Sequence, residues 1–146
     1  MILLIQSAEE FVELRSSSDP AMYSRAAHDQ APLEVWREVI ARHPDLRFWV
    51  AQNKTVQLEI LAFLAGDPDR RVRSMVARKR SLTAEILERM SFDDDESVRY
   101  SVACHRNTPL AVLERLAEDP WSVVRDRART RLADRRSRGE PGVGSS

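Results

Sequence analysis

Apolar residues recur along the chain with a period of 26 positions, and within each copy they form pairs whose members are three or four positions apart. The three successive copies contain Leu46, Val50, Leu61 and Leu64; Val72, Val76, Leu87 and Met90; and Val98, Val102, Leu113 and Leu116. A spacing of three to four is that of one helix face, so each copy predicts two short helices. A fixed period of this length is typical of stacked helical units, and we expect an all-α fold, a short α-solenoid.

Capping residues and prolines predict where the helices begin. Ser7 and Glu10 form a capping box. Pro20 and Pro32 are expected to open helices, and Thr55 is expected to cap another. The predicted helices span residues 8–15, 20–27, 32–42, 45–52, 56–65, 69–78, 84–90, 96–104, 110–117 and 121–133.

The 146 residues divide into an N-terminal capping segment (1–20), a helical repeat domain (21–134) and a disordered tail (135–146), which lacks periodicity. No apolar run approaches the ~18 residues that a bilayer requires. The apolar residues 1–5 lack the basic region of a signal peptide. Cys104 is the only cysteine, so an internal disulfide is impossible. We expect a cytoplasmic, monomeric protein without a membrane partner.

The segment from Val98 to Pro120 carries the pattern Val-Arg-x-x-Val-Ala-x-x-x-x-Thr-Pro-x-x-x-Leu-x-x-Leu-Ala-x-Asp-Pro. This pattern resembles the variant leucine-rich repeat of bacterial type, an all-helical relative of HEAT-type repeats. The resemblance is strong over residues 46–125 and weak over 21–44. It implies a right-handed α-solenoid of HEAT-like/variant leucine-rich repeats that binds another macromolecule through a curved face. It also implies hydrogen-bonded ladders between repeats, for which the candidates are Asp67, Asp93, Asp119, Arg73, Arg99 and Arg125.

The residue types that perform catalysis or bind metals are not arranged for either role. His28, His43 and His105 lie in different repeats without a helical partner, so no zinc site is expected. The acidic run at residues 93–96 is interpreted as a helix N-terminus. One type of variant leucine-rich repeat protein holds an iron–sulfur cluster in a cysteine-rich N-terminal segment, but that segment contains no cysteine here. The sequence has no phosphate-binding glycine loop and no nucleophile elbow. We expect a protein that is not an enzyme and has no metal or cofactor.

Basic residues occupy equivalent positions in the loops between repeats. Lys54, Arg80 and Arg106 share one repeat position, and stacked repeats would place them along one edge. The preceding position holds Asn53, Lys79 and His105, and positive charge is densest at Arg78, Lys79 and Arg80. The functional interpretation is a basic strip for an acidic partner or a phosphate backbone. The alternative is an ordinary solvated loop edge.

Two repeat positions hold aromatic residues in some copies and small or flexible residues in others. Phe48 and Tyr100 share a position with Ser74, and Trp49 shares the next with Met75 and Ser101. Because the fold does not require large side chains there, these aromatics are candidate partner-binding anchors. The alternative is packing beneath a neighbouring helix. We expect the two sets to form one binding face: Phe48, Trp49, Lys54, Arg78, Lys79, Arg80, Tyr100 and Arg106.

Three functions remain open on the sequence. The first is a protein-binding module, either an adaptor or an immunity-like inhibitor of a toxin, whose partner has an acidic surface. The second is a nucleic-acid-binding protein that uses the Lys54, Arg80 and Arg106 edge, although 23 basic and 23 acidic residues give no net charge. The third, a base-excision enzyme by analogy with helical-repeat DNA glycosylases, has no supporting motif. The arginine-rich segment 125–136 is interpreted as the polar face of a terminal repeat rather than as a nucleic-acid contact.

Overall fold

A computed structural model describes residues 4–139. Its elements are α1 (Ala8–Ser16), α2 (Pro20–His28), α3 (Leu33–Arg42), a 3-10 turn (Pro44–Leu46), α4 (Arg47–Gln52), α5 (Leu58–Leu64), α6 (Arg70–Ala77), α7 (Ala84–Met90), α8 (Glu96–Cys104), α9 (Leu110–Leu116) and α10 (Ser122–Ser137). Extended pairing within residues 4–139 is confined to one isolated parallel bridge between Leu4 and Gln30. The all-α prediction is therefore confirmed. Within the described chain, every helix is too short or too polar to cross a membrane.

Of the four helix starts predicted from capping residues and prolines, those at Ser7, Pro20 and Pro32 agree with the structure and the one at Thr55 does not. Ser7 Oγ accepts the Glu10 N–H at 3.1 Å, and the Glu10 carboxylate accepts the Gln6 N–H at 2.8 Å. Thr55, by contrast, does not cap α5, which begins three residues later after Gln57. The Thr55 hydroxyl instead donates to the Asp29 carbonyl at 3.2 Å or to the Asn53 side chain at 2.7 Å, because it lies in a loop bound to the preceding repeat.

The chain folds as two compact units, residues 4–76 and 77–139 of the described part, called here the N-terminal and C-terminal units. In the N-terminal unit, α1 packs against α2 and α3. The Phe11 and Trp36 rings, both fully buried, meet edge to face with centroids 5.3 Å apart. Other buried side chains of this core are Ile5, Leu14, Val39, Val50, Leu61 and Leu64. The predicted N-terminal segment thus contributes a complete helix to the core.

In the C-terminal unit, α10 packs along α8 and α9. The buried core contains Leu82, Leu87, Val98, Val102, Leu113, Leu116, Val124, Ala128 and Leu132. Leu87 and Leu113, and Leu61 in the other unit, are each at most 1% exposed. The prediction that these three equivalent leucines are buried is confirmed.

Arginine and aspartate form the same ion pair in each unit, with partners 20 residues apart. Arg99 donates to both Asp119 carboxylate oxygens, at 2.8 and 3.2 Å, and to the Asp93 carbonyl at 2.9 Å. In the N-terminal unit, Arg47 Nη1 lies 3.4 Å from Asp67 Oδ2. Both aspartates also accept the backbone N–H two residues ahead, at 2.9 Å. The prediction that Arg99 is bound to an aspartate is confirmed.

The other two predicted ladder arginines bind backbone carbonyls. Arg73 Nη1 donates to the carbonyls of Asp67 and Pro68, at 2.9 and 3.1 Å. Arg125 Nη1 donates to the Asp119 carbonyl at 3.3 Å. All three arginines thus fix the loop that precedes their own helix.

The last helix continues to Ser137, four residues beyond its predicted end at residue 133 and three beyond the domain boundary expected at residue 134. The reason is a set of hydrogen bonds from its side chains to loop carbonyls. Arg131 donates to the Ala103 and His105 carbonyls at 2.8 and 3.0 Å, and Arg135 donates to the Thr108 carbonyl at 2.6 Å. These contacts agree with a terminal helix that closes the C-terminal unit. The remainder of the predicted disordered tail, residues 140–146, lies outside the described residues.

Candidate functional site

The eight predicted partner-binding residues divide between the two units. Phe48, Trp49 and Lys54 belong to the N-terminal unit, and Arg78, Lys79, Arg80, Tyr100 and Arg106 to the C-terminal unit. A single edge through Lys54, Arg80 and Arg106 therefore stays a prediction. Each unit contains a surface groove that is lined by some of these residues.

In the C-terminal unit, Arg78, Arg80, Tyr100 and Arg106 line one groove of about 450 Å³, called here the basic groove. The rest of its wall is formed by Ala77, Ser101, Cys104 and His105. Four of the five residues that the sequence predicted in this unit are thus brought together. Lys79 is half-buried and does not line the groove.

Helix α8 and two adjoining loops position these side chains. Cys104 lies about one helical turn after both Tyr100 and Ser101, on the same side of α8. His105 Nε2 is 2.6 Å from the Lys79 carbonyl, and the Asn107 amide donates to the Arg80 carbonyl at 3.2 Å. These hydrogen bonds hold the loop after α6 against the loop after α8, and Arg80 and Arg106 both line the groove as a result.

Tyr100 is 36% exposed, so its side chain is not completely packed beneath a neighbouring helix, which was the alternative to a binding anchor. A hydrogen bond with Cys104 raises the pKa of Tyr100 above its ordinary value, and the positive charge of Arg127 opposes this effect only in part. The phenol is therefore neutral at physiological pH and adds no negative charge to the groove. Its ring supplies an apolar wall and its oxygen a polar tip.

The arginines of the basic groove have no carboxylate partners within the described part of the chain. By contrast, Arg25, Arg42 and Arg99 each contact a carboxylate at 2.8 Å or less. No acidic residue lines the basic groove. Three arginines without a carboxylate partner among residues 4–139 therefore line one groove, an arrangement complementary to an anionic ligand. They are Arg78, Arg80 and Arg106.

The repeat position of Asn53 and His105 was predicted to lie on the exposed strip, and this prediction is wrong. Asn53 is fully buried and His105 is 7% exposed. Asn53 Nδ2 donates to the carbonyls of Ala26 and Asp29, at 2.8 and 3.0 Å. A buried loop must satisfy its backbone carbonyls, and these side chains supply the hydrogen bonds. The position is structural.

In the N-terminal unit, Phe48 and Trp49 line a second groove of about 310 Å³, called here the aromatic groove. Their rings are nearly perpendicular, at 88°, with centroids 5.0 Å apart. Both residues are half-buried, so neither side chain is completely packed beneath a neighbouring helix. The other lining residues are Pro44, Asp45, Asp69, Arg71 and Val72. Within this unit the two aromatics therefore stand beside carboxylates, and exposed Lys54 does not line the groove.

The two most exposed aromatics were missed by the sequence analysis. Phe63 and Phe92 are each 68% exposed. The Arg115 guanidinium lies 3.9 Å from the centre of the Phe92 ring. The argument used for Phe48, that its repeat position holds a residue of another kind in another copy, applies to both. Phe63 shares its repeat position with Arg89, and Phe92 shares its position with Gly66.

Comparison of the chain with protein-family models, with curated proteins and with solved structures finds no match. Within residues 4–139, no three histidine, cysteine, aspartate or glutamate residues are grouped to hold a metal ion. The geometry of the grooves therefore carries the functional argument.

Proposed function

We propose that the chain is a non-enzymatic binding module that recognises an acidic segment of another protein in the basic groove. The observation that carries this proposal is the convergence of three arginines without carboxylate partners in the described chain on a groove walled by an exposed tyrosine. The repeated ion pairs in the two units support the further proposal of a HEAT-like/variant leucine-rich repeat solenoid. The module would act in the cytoplasm as a monomeric adaptor or inhibitor.

Each part of the groove has a distinct role in this proposal. The guanidinium groups form bidentate hydrogen bonds with carboxylates and accelerate association with an anionic surface. The Tyr100 ring, with Ala77 and the Cys104 side chain beside it, provides apolar area for burial. An acidic segment with one apolar side chain would use both features. A uniformly charged polymer would use only the arginines.

Tyr100→Ala and the double variant Arg80→Glu/Arg106→Glu are each expected to weaken binding by more than about 1 kcal/mol, or about fivefold in Kd. The charge reversal should act mainly on the association rate. Binding is measured by fluorescence anisotropy with a labelled peptide of glutamates and aspartates around one leucine. The matched control is Arg136→Glu/Arg138→Glu, since both arginines are exposed and lie outside the groove.

Circular dichroism should be the same for all these variants. Equal weakening by the control pair would show that general surface charge, not the groove, attracts the peptide. The same titration with a duplex oligodeoxynucleotide of equal charge tests the nucleic-acid alternative. Tighter binding of the oligonucleotide, with a log–log salt slope of about −0.9 per phosphate contact, would replace the proposed protein partner by a nucleic acid.

A further inference from the structure

The aromatic groove of the N-terminal unit differs in chemistry from the basic groove. Phe48 and Trp49 pack edge to face, with ring centroids 5.0 Å apart, and both residues line a space of about 310 Å³. Aromatic faces carry negative electrostatic potential and attract cations placed within about 6 Å of the ring centre. An aromatic face that borders the groove therefore favours an organic cation over an anion.

The carboxylates of this groove strengthen that preference. Asp69 is bound to Arg71, whose Nη2 and Nε lie 3.0 and 3.3 Å from its oxygens. Those hydrogen bonds, the largest effect, lower the pKa of Asp69 and keep it ionised. Asp45 is exposed and has no hydrogen-bond or ion-pair partner of its side chain among residues 4–139. The Arg71 charge is thus already compensated, and the Asp45 charge is available to a ligand.

The protein's own contacts show that Trp49 accepts a guanidinium. The Arg15 guanidinium carbon lies 3.7 Å from the centre of the Trp49 ring. This stacking takes place between partly buried residues, where cation–π attraction is stronger than in open water. The indole is therefore held in place beside the groove.

We propose that the aromatic groove binds a basic side chain, arginine or lysine, of a partner protein. The cation would lie against Phe48 and Trp49 and pair with Asp45, while Pro44 and Val72 contact its aliphatic stem. This site is separate from the basic groove and does not depend on the function proposed for it. The chemistry of the two grooves is opposite, so a partner that used both would present a basic side chain as well as an acidic segment.

The test uses the full chain and a pair of matched peptides, acetyl-Gly-Arg-Gly-amide and the same peptide with neutral citrulline. The readout is the Trp49 indole N–H resonance in nitrogen–proton correlation spectra, assigned by its loss in Trp49→Phe. The arginine peptide should shift this resonance saturably, and citrulline should not. Asp45→Asn should raise the Kd of the arginine peptide about threefold, the effect expected at an exposed cation site. Glu34→Gln, an exposed carboxylate outside the groove, is the control and should bind normally.

Three results would overturn the proposal. The first is an equal response to the citrulline peptide, which would mean that charge is irrelevant. The second is the absence of a shift of the Trp49 indole resonance up to about 20 mM peptide, a concentration that would nearly saturate a site with a Kd of about 1 mM. The third is tighter binding of tetramethylammonium than of the arginine peptide, which would assign the groove to small quaternary ammonium ligands instead of a protein side chain.

Discussion

Leu87→Ala is expected to lower the free energy of unfolding by about 2–5 kcal/mol, a large part of the stability of a small protein. Leu87 is fully buried in the core of the C-terminal unit, on a helix of only seven residues. Truncation removes apolar contacts and leaves a cavity that the surrounding side chains fill only in part. A helix this short has little stability of its own and depends on that packing. Urea unfolding followed by circular dichroism measures the change.

The control for this substitution is Glu88→Ala on the same helix. Glu88 is exposed, and its replacement by the best helix former should alter the unfolding free energy by at most about 0.5 kcal/mol. A Leu87→Ala protein within 1 kcal/mol of the parent would contradict the assignment of Leu87 to a well-packed core.

The helices were predictable from sequence because their signals are local. Apolar spacing and the Ser7 cap depend on residues within one or two turns of each other. Thr55 shows where this reasoning fails. The same hydroxyl that can cap a helix can also bind the carbonyl of Asp29, which is 26 positions away. Only the folded arrangement decides between the two hydrogen bonds. The end of α10 has the same cause, since Arg135 binds the Thr108 carbonyl.

The sequence could predict which single residues of the candidate site are at least partly exposed, but not which of them lie together. Variation at the positions of Phe48 and Tyr100 indicated that the fold does not require their size, and neither is completely buried. The alignment of repeats did not reveal which side chains share a groove. Asp45 lines the same groove as Phe48 because the turn before α4 brings it there. Cys104 lines the same groove as Tyr100 because it follows one turn later on α8. Polarity also misled at Asn53, because a loop residue that binds buried carbonyls is as polar as one that contacts solvent.

Arg99→Ala is expected to destabilise the C-terminal unit by about 3 kcal/mol at neutral pH, because it leaves the carboxylate of Asp119 buried without its partner. Asp119 is 6% exposed, and the Arg99 side chain holds both of its oxygens. Binding in the basic groove should persist in the folded fraction, since Arg99 does not line it. Thermal and urea unfolding measure the loss, and Arg138→Ala, at an exposed position, should cost less than about 0.5 kcal/mol.

The pH dependence of that loss separates charge pairing from packing. Burial opposes ionisation of Asp119, but the hydrogen bonds from Arg99 and from the Trp121 backbone outweigh it and hold the pKa of Asp119 below its ordinary value. Because the pKa of Asp119 is lower in the folded than in the unfolded protein, where it is about 3.9, its ionisation stabilises the fold at pH values above about 3.9. This stabilisation is lost as the pH falls through the pKa of the folded state. The difference between parent and Arg99→Ala should therefore shrink on acidification from neutral pH to about pH 3. A deficit that stays constant over this range would assign the role of Arg99 to packing of its aliphatic stem rather than to its pair with Asp119.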